Sequence, residues 1–164
     1  MLLAFALLAL SACGGNTEEK SVDDQMENRP TAEQADSASA PGEKLNINTA
    51  STEEFLMIPT VGNKMEFEFK EYRPYKSIKQ FRKKISKYVD KTQVVEYEKY
   101  IFVPIHRNNS DTATVMQIPG LDEAETEELL AARPFESNQT FLDSLSSYIN
   151  EEELAKAESY LKAE

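Results

Sequence analysis

One cysteine, one histidine and no tryptophan stand in a chain of 164 residues. The lone Cys13 excludes an intramolecular disulfide. With His106 as the only imidazole, His-pair metal sites and cysteine clusters are excluded by count. No glycine-rich nucleotide loop, metal cluster or nucleophile–base pair is visible, so the sequence points to a protein that is not an enzyme, with no cofactor and no metal. Long apolar runs are missing as well. The longest, MLLAFALLAL at the front, has about a dozen residues with its flank, too short to cross a bilayer as a permanent helix.

Positive charge is scarce, with 18 basic residues against 29 acidic ones and a net of −11. At long range such a molecule repels nucleic acid and anionic lipid. The deficit is uneven. Residues 1–44 carry net −5, residues 45–101 net +3 and residues 102–164 net −9, so only the middle block attracts a polyanion.

The apolar run has the length of a signal-peptide core. It ends in Leu10-Ser11-Ala12-Cys13. This stretch resembles the bacterial lipoprotein signal. The resemblance implies removal of residues 1–12, a diacylglycerol on the Cys13 sulfur, and a protein lipid-anchored in the bacterial cell envelope. Gly14 after that cysteine points to the outer membrane, on the periplasmic or surface side. Residues 13–44 are polar and acidic, punctuated by Pro30, Pro41 and Gly42, and cannot bury a core; they read as a disordered tether.

From Asn48 onward the chain aligns with itself, without gaps, at an offset of 60. Ile58-Pro59 falls on Ile118-Pro119, Arg73-Pro74 on Arg133-Pro134, Ser77 on Ser137, Phe81 on Phe141 and Tyr88 on Tyr148. Conservative pairs such as Phe69/Leu129 and Tyr75/Phe135 lie between them. An internal duplication follows, with units at 45–103 and 104–164.

Met65 to Phe69 alternates apolar and acidic residues like a strand, but its counterpart after Asp122 is EAETEELLAA, all strong helix formers. Read as a helix, Val61, Met65, Phe69 and Tyr72 share one face. Phe67 is left off that stripe, either packed against the sister unit or exposed for a partner. Ser51-x-x-Glu54 reads as a capping box opening a helix through Met57, with Asp111 the matching cap. Ser77 caps a third helix, and Asp90 or Asn150 a fourth running to Ile101 or Leu161. The prolines at 59, 119, 74 and 134 close helices. Four short helices per unit, about eight in all and no convincing strand, predict an all-α fold.

LNINTASTEEFLMIPTVGNK, Leu45–Lys64, resembles the helix-hairpin-helix family, in particular competence-type DNA receptor (ComEA-like) domains with their N-x-N-T-A-S opening and P-G-h-G-x-K hairpin. The likeness covers Leu45 to about Val103 and, through the repeat, reaches Glu164. It implies two hairpins per sixty-residue unit and non-specific binding of duplex DNA, with hairpin amides and a lysine on phosphate.

The hairpins depart from that pattern. Eight glycine positions are on offer across the two units, and only Gly62 and Gly120 are filled. Thr60 stands where the leading glycine belongs, and one glycine in each unit keeps the turn. In the first hairpin Val61, Gly62, Asn63 and Lys64 keep the features of a phosphate cradle. In the second unit Asp122, Glu123 and Glu125 stand where phosphate would sit, so the unit reads as degenerate. The basic run after Ser77 places Lys79, Arg82, Lys83, Lys84, Lys87 and Lys91 on one stretch; Arg82, Lys83 and Lys84 extend the candidate DNA-backbone set, against the plainer reading of a solvated helix face. Arg73 and Arg133 read as structural, bonding carbonyls at a helix end, and His106 as incidental. Two functions stay open: a membrane-tethered binding module with weak duplex affinity, or a structural module that meets a protein partner and no longer binds DNA.

Overall fold

The computed structural model describes residues 40–163. The apolar leader, Cys13 and most of the acidic tether lie outside these residues, together with the lipidation and disorder expected of them. Among the described residues the fold is mostly helical, with eight helices. In the N-terminal half they are α1 (Thr52–Leu56), α2 (Asn63–Glu71), α3 (Ile78–Ile85) and α4 (Lys91–Glu98). In the C-terminal half they are α5 (Thr112–Val115), α6 (Glu123–Ala131), α7 (Asn138–Leu145) and α8 (Glu151–Tyr160). No described helix is long and apolar enough to cross a membrane.

Seven of the eight described helices start where short polar side chains stop the backbone amides from going unpaired. Ser51 and Glu54 bond each other's amides across the first turn of α1, and Asp111 accepts from the Thr114 amide at α5. Ser77, Ser137, Asp90 and Asn150 cap α3, α7, α4 and α8 in the same way. Two elements end earlier than the sequence suggests. Helix α1 stops at Leu56 with Met57 as its cap, and α4 stops at Glu98.

Beyond α4 the chain forms a two-residue strand, where the sequence shows no convincing strand; the fold remains all-α in character. β1 (Leu45–Asn46) pairs in parallel with β2 (Ile101–Phe102), and the Leu45 amide donates to the Tyr100 carbonyl at 2.7 Å. Ile105 and Leu161 form a matching parallel bridge, with the Ile105 amide 2.8 Å from the Tyr160 carbonyl. The apolar run from Ile101 to Val103 leads into Pro104, whose ring bars Val103 from helix geometry. Pairing with the entry strand then satisfies buried backbone groups that a frayed helix end would leave open.

Two clusters of side chains form the core. Phe69 sits at the centre of the first, its ring 5.3 Å from Phe55, 5.6 Å from Phe81 and 5.3 Å from Tyr97. Each such ring removed from water contributes about 1.5–3 kcal/mol. The second cluster has Leu129 in the corresponding place and a T-shaped Phe135–Phe141 pair at 5.2 Å. Phe102 stacks on Tyr160 in this second cluster, so the strand that ends the first half also packs on the second. The Ile78 amide donates to Thr114 Oγ1 at 3.0 Å in buried surroundings, and Val103 N donates to Gln117 Oε1 at 2.8 Å, which couples the halves through polar contacts too.

The guanidinium of Arg73 ties the first half's entry loop to its middle. Its Nε donates to the Ile47 carbonyl and its Nη2 to the Ala50 carbonyl, both at 2.6 Å, and its charge lies 4.9 Å from the Phe55 ring centre. Arg133 repeats this with Arg107 and Ser110, both at 2.8 Å. These carbonyls belong to the loops before α1 and α5, so the structural role holds but its target is a loop 23 and 26 residues upstream. Asn48 completes the first clamp by exchanging two bonds with Tyr75, at 2.9 and 2.7 Å, and Asn108 does the same with Phe135. The Arg73–Pro74 and Arg133–Pro134 peptides between them are cis.

Replacing Arg73 by alanine removes two charge-assisted bonds and strands the Ile47 and Ala50 carbonyls. Urea unfolding is expected to show a loss of about 3 kcal/mol, and Arg133→Ala a comparable one. An unchanged midpoint in either variant would contradict this role.

Candidate nucleic-acid interface

The hairpin between α1 and α2 is held by two buried apolar side chains, Ile58 and Val61, and by a bond from the Val61 amide to the Ile58 carbonyl at 3.1 Å. Val61 lies ahead of α2 and anchors it, while Met65 and Phe69 carry its buried face. Phe67 is 58 % exposed and points away from both core clusters.

At Gly62 the chain enters α2 with φ −97° and ψ 178°, extended backbone that any residue adopts. Gly62 is the N-cap, and having no side chain it offers the first-turn amides no acceptor. Asp122 caps α6 with nearly the same backbone, φ −96° and ψ 177°. Its carboxylate accepts from the Glu125 amide at 2.8 Å, and Glu125 Oε2 accepts from the Asp122 amide at 3.0 Å. One side chain therefore separates an open helix start from one closed by the protein's own charge. All seven other described helices have a side-chain cap, and α2 does not.

The glycines play different parts from those the motif suggests. The turn itself requires a left-handed residue one position after the proline, and Gly120 fills it with φ 86°. In the first hairpin Thr60 takes that conformation, φ 66°, although it is β-branched. Gly62 therefore does not supply the turn; its contribution is a bare helix start. Thr60 Oγ1 accepts from Gln93 Nε2 at 2.8 Å, which sets the first turn of α4 beside the hairpin. In the second half Glu153 takes the place of Gln93, and a Cβ on Gly120 would collide with its carboxylate. That neighbouring start of α4 is capped by Asp90, whose carboxylate accepts from the Gln93 amide at 2.9 Å, and its first residue is Lys91.

The candidate residues do not gather at one point. Asn63 and Lys64 stand exposed at the open end of α2, next to half-buried Gly62. Arg82 is committed elsewhere, with Nε and Nη2 each 2.7 Å from a different oxygen of Glu98; those bonds hold its guanidinium pKa above the ordinary value. Lys84 and Lys87 lie over the Tyr72 ring, 4.6 and 5.6 Å from its centre, at the far end of α2. The nine-residue helix is about 13 Å long, with Gly62 capping one end and Tyr72 the other. Tyr72 and Tyr88 share a hydroxyl contact at 2.6 Å, the main cause of the raised Tyr88 pKa. Lys83 and Lys91 rim a groove between α3 and α4. Lys70, in the last turn of α2, pairs with buried Glu66 at 3.0 Å.

Lys91 opens the helix whose Gln93 meets the hairpin, but it stands about 200° round that helix from Gln93 and lines the groove with α3; the motif alone does not select it. Its signal is the polar pair Thr60 and Gln93, which nothing in local spacing connects. His106 is partly buried between the halves, where its Nδ1 accepts from the Asn108 amide at 3.3 Å. Among the described residues no group of histidine, cysteine or acidic side chains could hold a metal ion. No protein-family model, no curated protein and no solved structure matches the chain.

Two substitutions separate turn from cap. Thr60→Gly relieves the left-handed β-branched residue, and thermal unfolding is expected to show a gain of about 1 kcal/mol. A loss of stability would mean that the Gln93 bond outweighs the strain. Gly62→Asp gives α2 the cap that α6 has, so its stability should rise by a few tenths of about 1 kcal/mol while any anion held at that helix start is lost. Retention of anion binding by Gly62→Asp would rule out the open amides as its seat.

Proposed function

We propose that this chain is a lipid-anchored, non-enzymatic envelope protein built from two tandem helix-hairpin-helix units, and that the first unit binds duplex DNA weakly and without sequence preference. One observation carries the DNA reading: α2 alone among the described helices starts without a side-chain cap, at the position where α6 places Asp122. The bare amides and exposed Lys64 match the needs of a phosphate oxygen, which takes hydrogen bonds and charge but reads no base. Lys91, at the start of the helix whose Gln93 bonds Thr60, and Lys83 across the groove are the further candidates for backbone contact.

The repeated bonding pattern supports the tandem reading. Arg73 and Arg133, Asn48 and Asn108, and the Leu45 and Ile105 amides make equivalent contacts sixty positions apart. The lipid anchor rests on the Leu10-Ser11-Ala12-Cys13 sequence alone. A second reading, a module that meets a protein and no longer binds DNA, draws on exposed Phe67 and on the closed start of α6.

Titrating a labelled duplex with the full chain across a salt series tests the two readings. Three or so phosphate contacts predict a log–log salt slope of about −3, reduced by about one in Lys64→Ala. Absence of binding at about 50 mM salt, or binding unaffected by combined Lys64→Glu and Lys83→Glu, leaves only the protein-partner reading.

A further inference from the structure

The groove between α3 and α4, about 450 Å³, lies on the side of the first half that carries its positive charge. Val94 and Val95 give it an apolar lining, and Val95 is 55 % exposed. Lys83 and Lys91 stand at its rim, and the Arg82–Glu98 pair holds α3 against α4 alongside. Each of these helices has eight residues, so the groove runs for about 12 Å. Val95 leaves apolar surface uncovered beside the two lysines.

Its chemical complement lies in the same sequence. Helix α6 has nine residues, no basic side chain, and an exposed face of Ala124, Glu127, Glu128 and Ala131 at three- and four-residue spacing. Small methyl groups flanked by carboxylates suit a valine-lined groove rimmed by ammonium groups. The length matches as well. The acidic face of α8 is less available, because Lys156 pairs with Glu152 at 2.7 Å. All residues lining the groove lie between 82 and 98, so the chain's own acidic half does not enter it.

We infer that the groove receives α6 of a second copy of this chain, with Lys83 and Lys91 facing Glu127 and Glu128. The contact joins unlike surfaces, groove to helix, so it closes into a reciprocal dimer or a ring where the geometry returns on itself and extends head to tail where it does not. Net charge of −11 opposes the approach, but this repulsion is largely screened beyond about 8 Å at physiological ionic strength. This inference goes beyond duplex binding and does not need it. Where both occur, α6 and a duplex compete for Lys83 and Lys91.

Sedimentation velocity of the full chain, without nucleic acid, at about 50 mM and about 500 mM salt tests it. The expected result is concentration-dependent association at low salt that disappears at high salt. Lys83→Glu with Lys91→Glu, and separately Glu127→Lys with Glu128→Lys, should each weaken association by about tenfold or more. An equimolar mixture of the two double variants should regain it, since the acidic groove of one then meets the basic helix of the other. Circular dichroism confirms that each variant is folded, and Val95→Asp gives an independent loss without altering the lysines. A chain that stays monomeric at low salt, association indifferent to both reversals, or failure of the mixture to recover would overturn the assignment. Monomeric behaviour together with duplex binding that depends on Lys83 and Lys91 would assign the groove to DNA instead.

Discussion

The arginine clamp is the constraint on which the rest of the structure depends. Each half begins with a loop that has no regular structure of its own between a two-residue pairing and a capped helix. Arg73 and Arg133 fix those loops by donating to two of their carbonyls, and Asn48 and Asn108 lock the residue beyond each proline to the same loop. A guanidinium can satisfy two carbonyls in one plane, and an asparagine amide can both donate to and accept from one backbone unit. The pairing of α1 with α2 and the path of the chain into α3 follow from that anchorage. The aromatic packing around Phe69 in turn requires that path.

Given the clamp, the two halves reach similar backbones with different surfaces. The starts of α2 and α6 differ by about one degree in each dihedral, yet one presents bare amides and the other a carboxylate bonded back onto its own helix. A helix N-terminus carries partial positive charge whichever residue precedes it. Asp122 and Glu125 consume that charge internally, and Gly62 leaves it for solvent or a ligand. The same backbone therefore has opposite consequences for an approaching anion, and the cap residue decides between them.

Much of the helix plan was legible from local chemistry. Ser51, Ser77, Asp90, Asp111, Asp122, Ser137 and Asn150 cap helices because a short side-chain oxygen reaches an amide three residues on, a relation contained in a few neighbouring letters. The alternation from Met65 to Phe69 was resolved by its helix-forming counterpart sixty residues later. The candidate site was less legible. Gly62 and Lys64 stand together as the hairpin motif suggests, but Arg82 is bound to Glu98 and Lys84 rests on Tyr72. A run of basic residues along one helix points in several directions, and what each meets depends on helices packed from elsewhere. The small parallel pairing of Leu45 with Ile101 escaped for the same reason, since two residues carry no periodicity.

By itself the sequence determined the caps, the proline stops, the sixty-residue self-similarity and the contrast of Gly62 with Asp122. These are statements about residues within a few positions of each other or about one stretch laid over another. Tertiary structure alone decided that Thr60 carries the left-handed turn, that its hydroxyl meets Gln93, and that the arginines hold loops more than twenty residues upstream. It also decided which lysines remain open to a partner. Each of those outcomes is a pairing between groups distant in the chain, and such a pairing exists only once the core has brought them within hydrogen-bond or van der Waals reach.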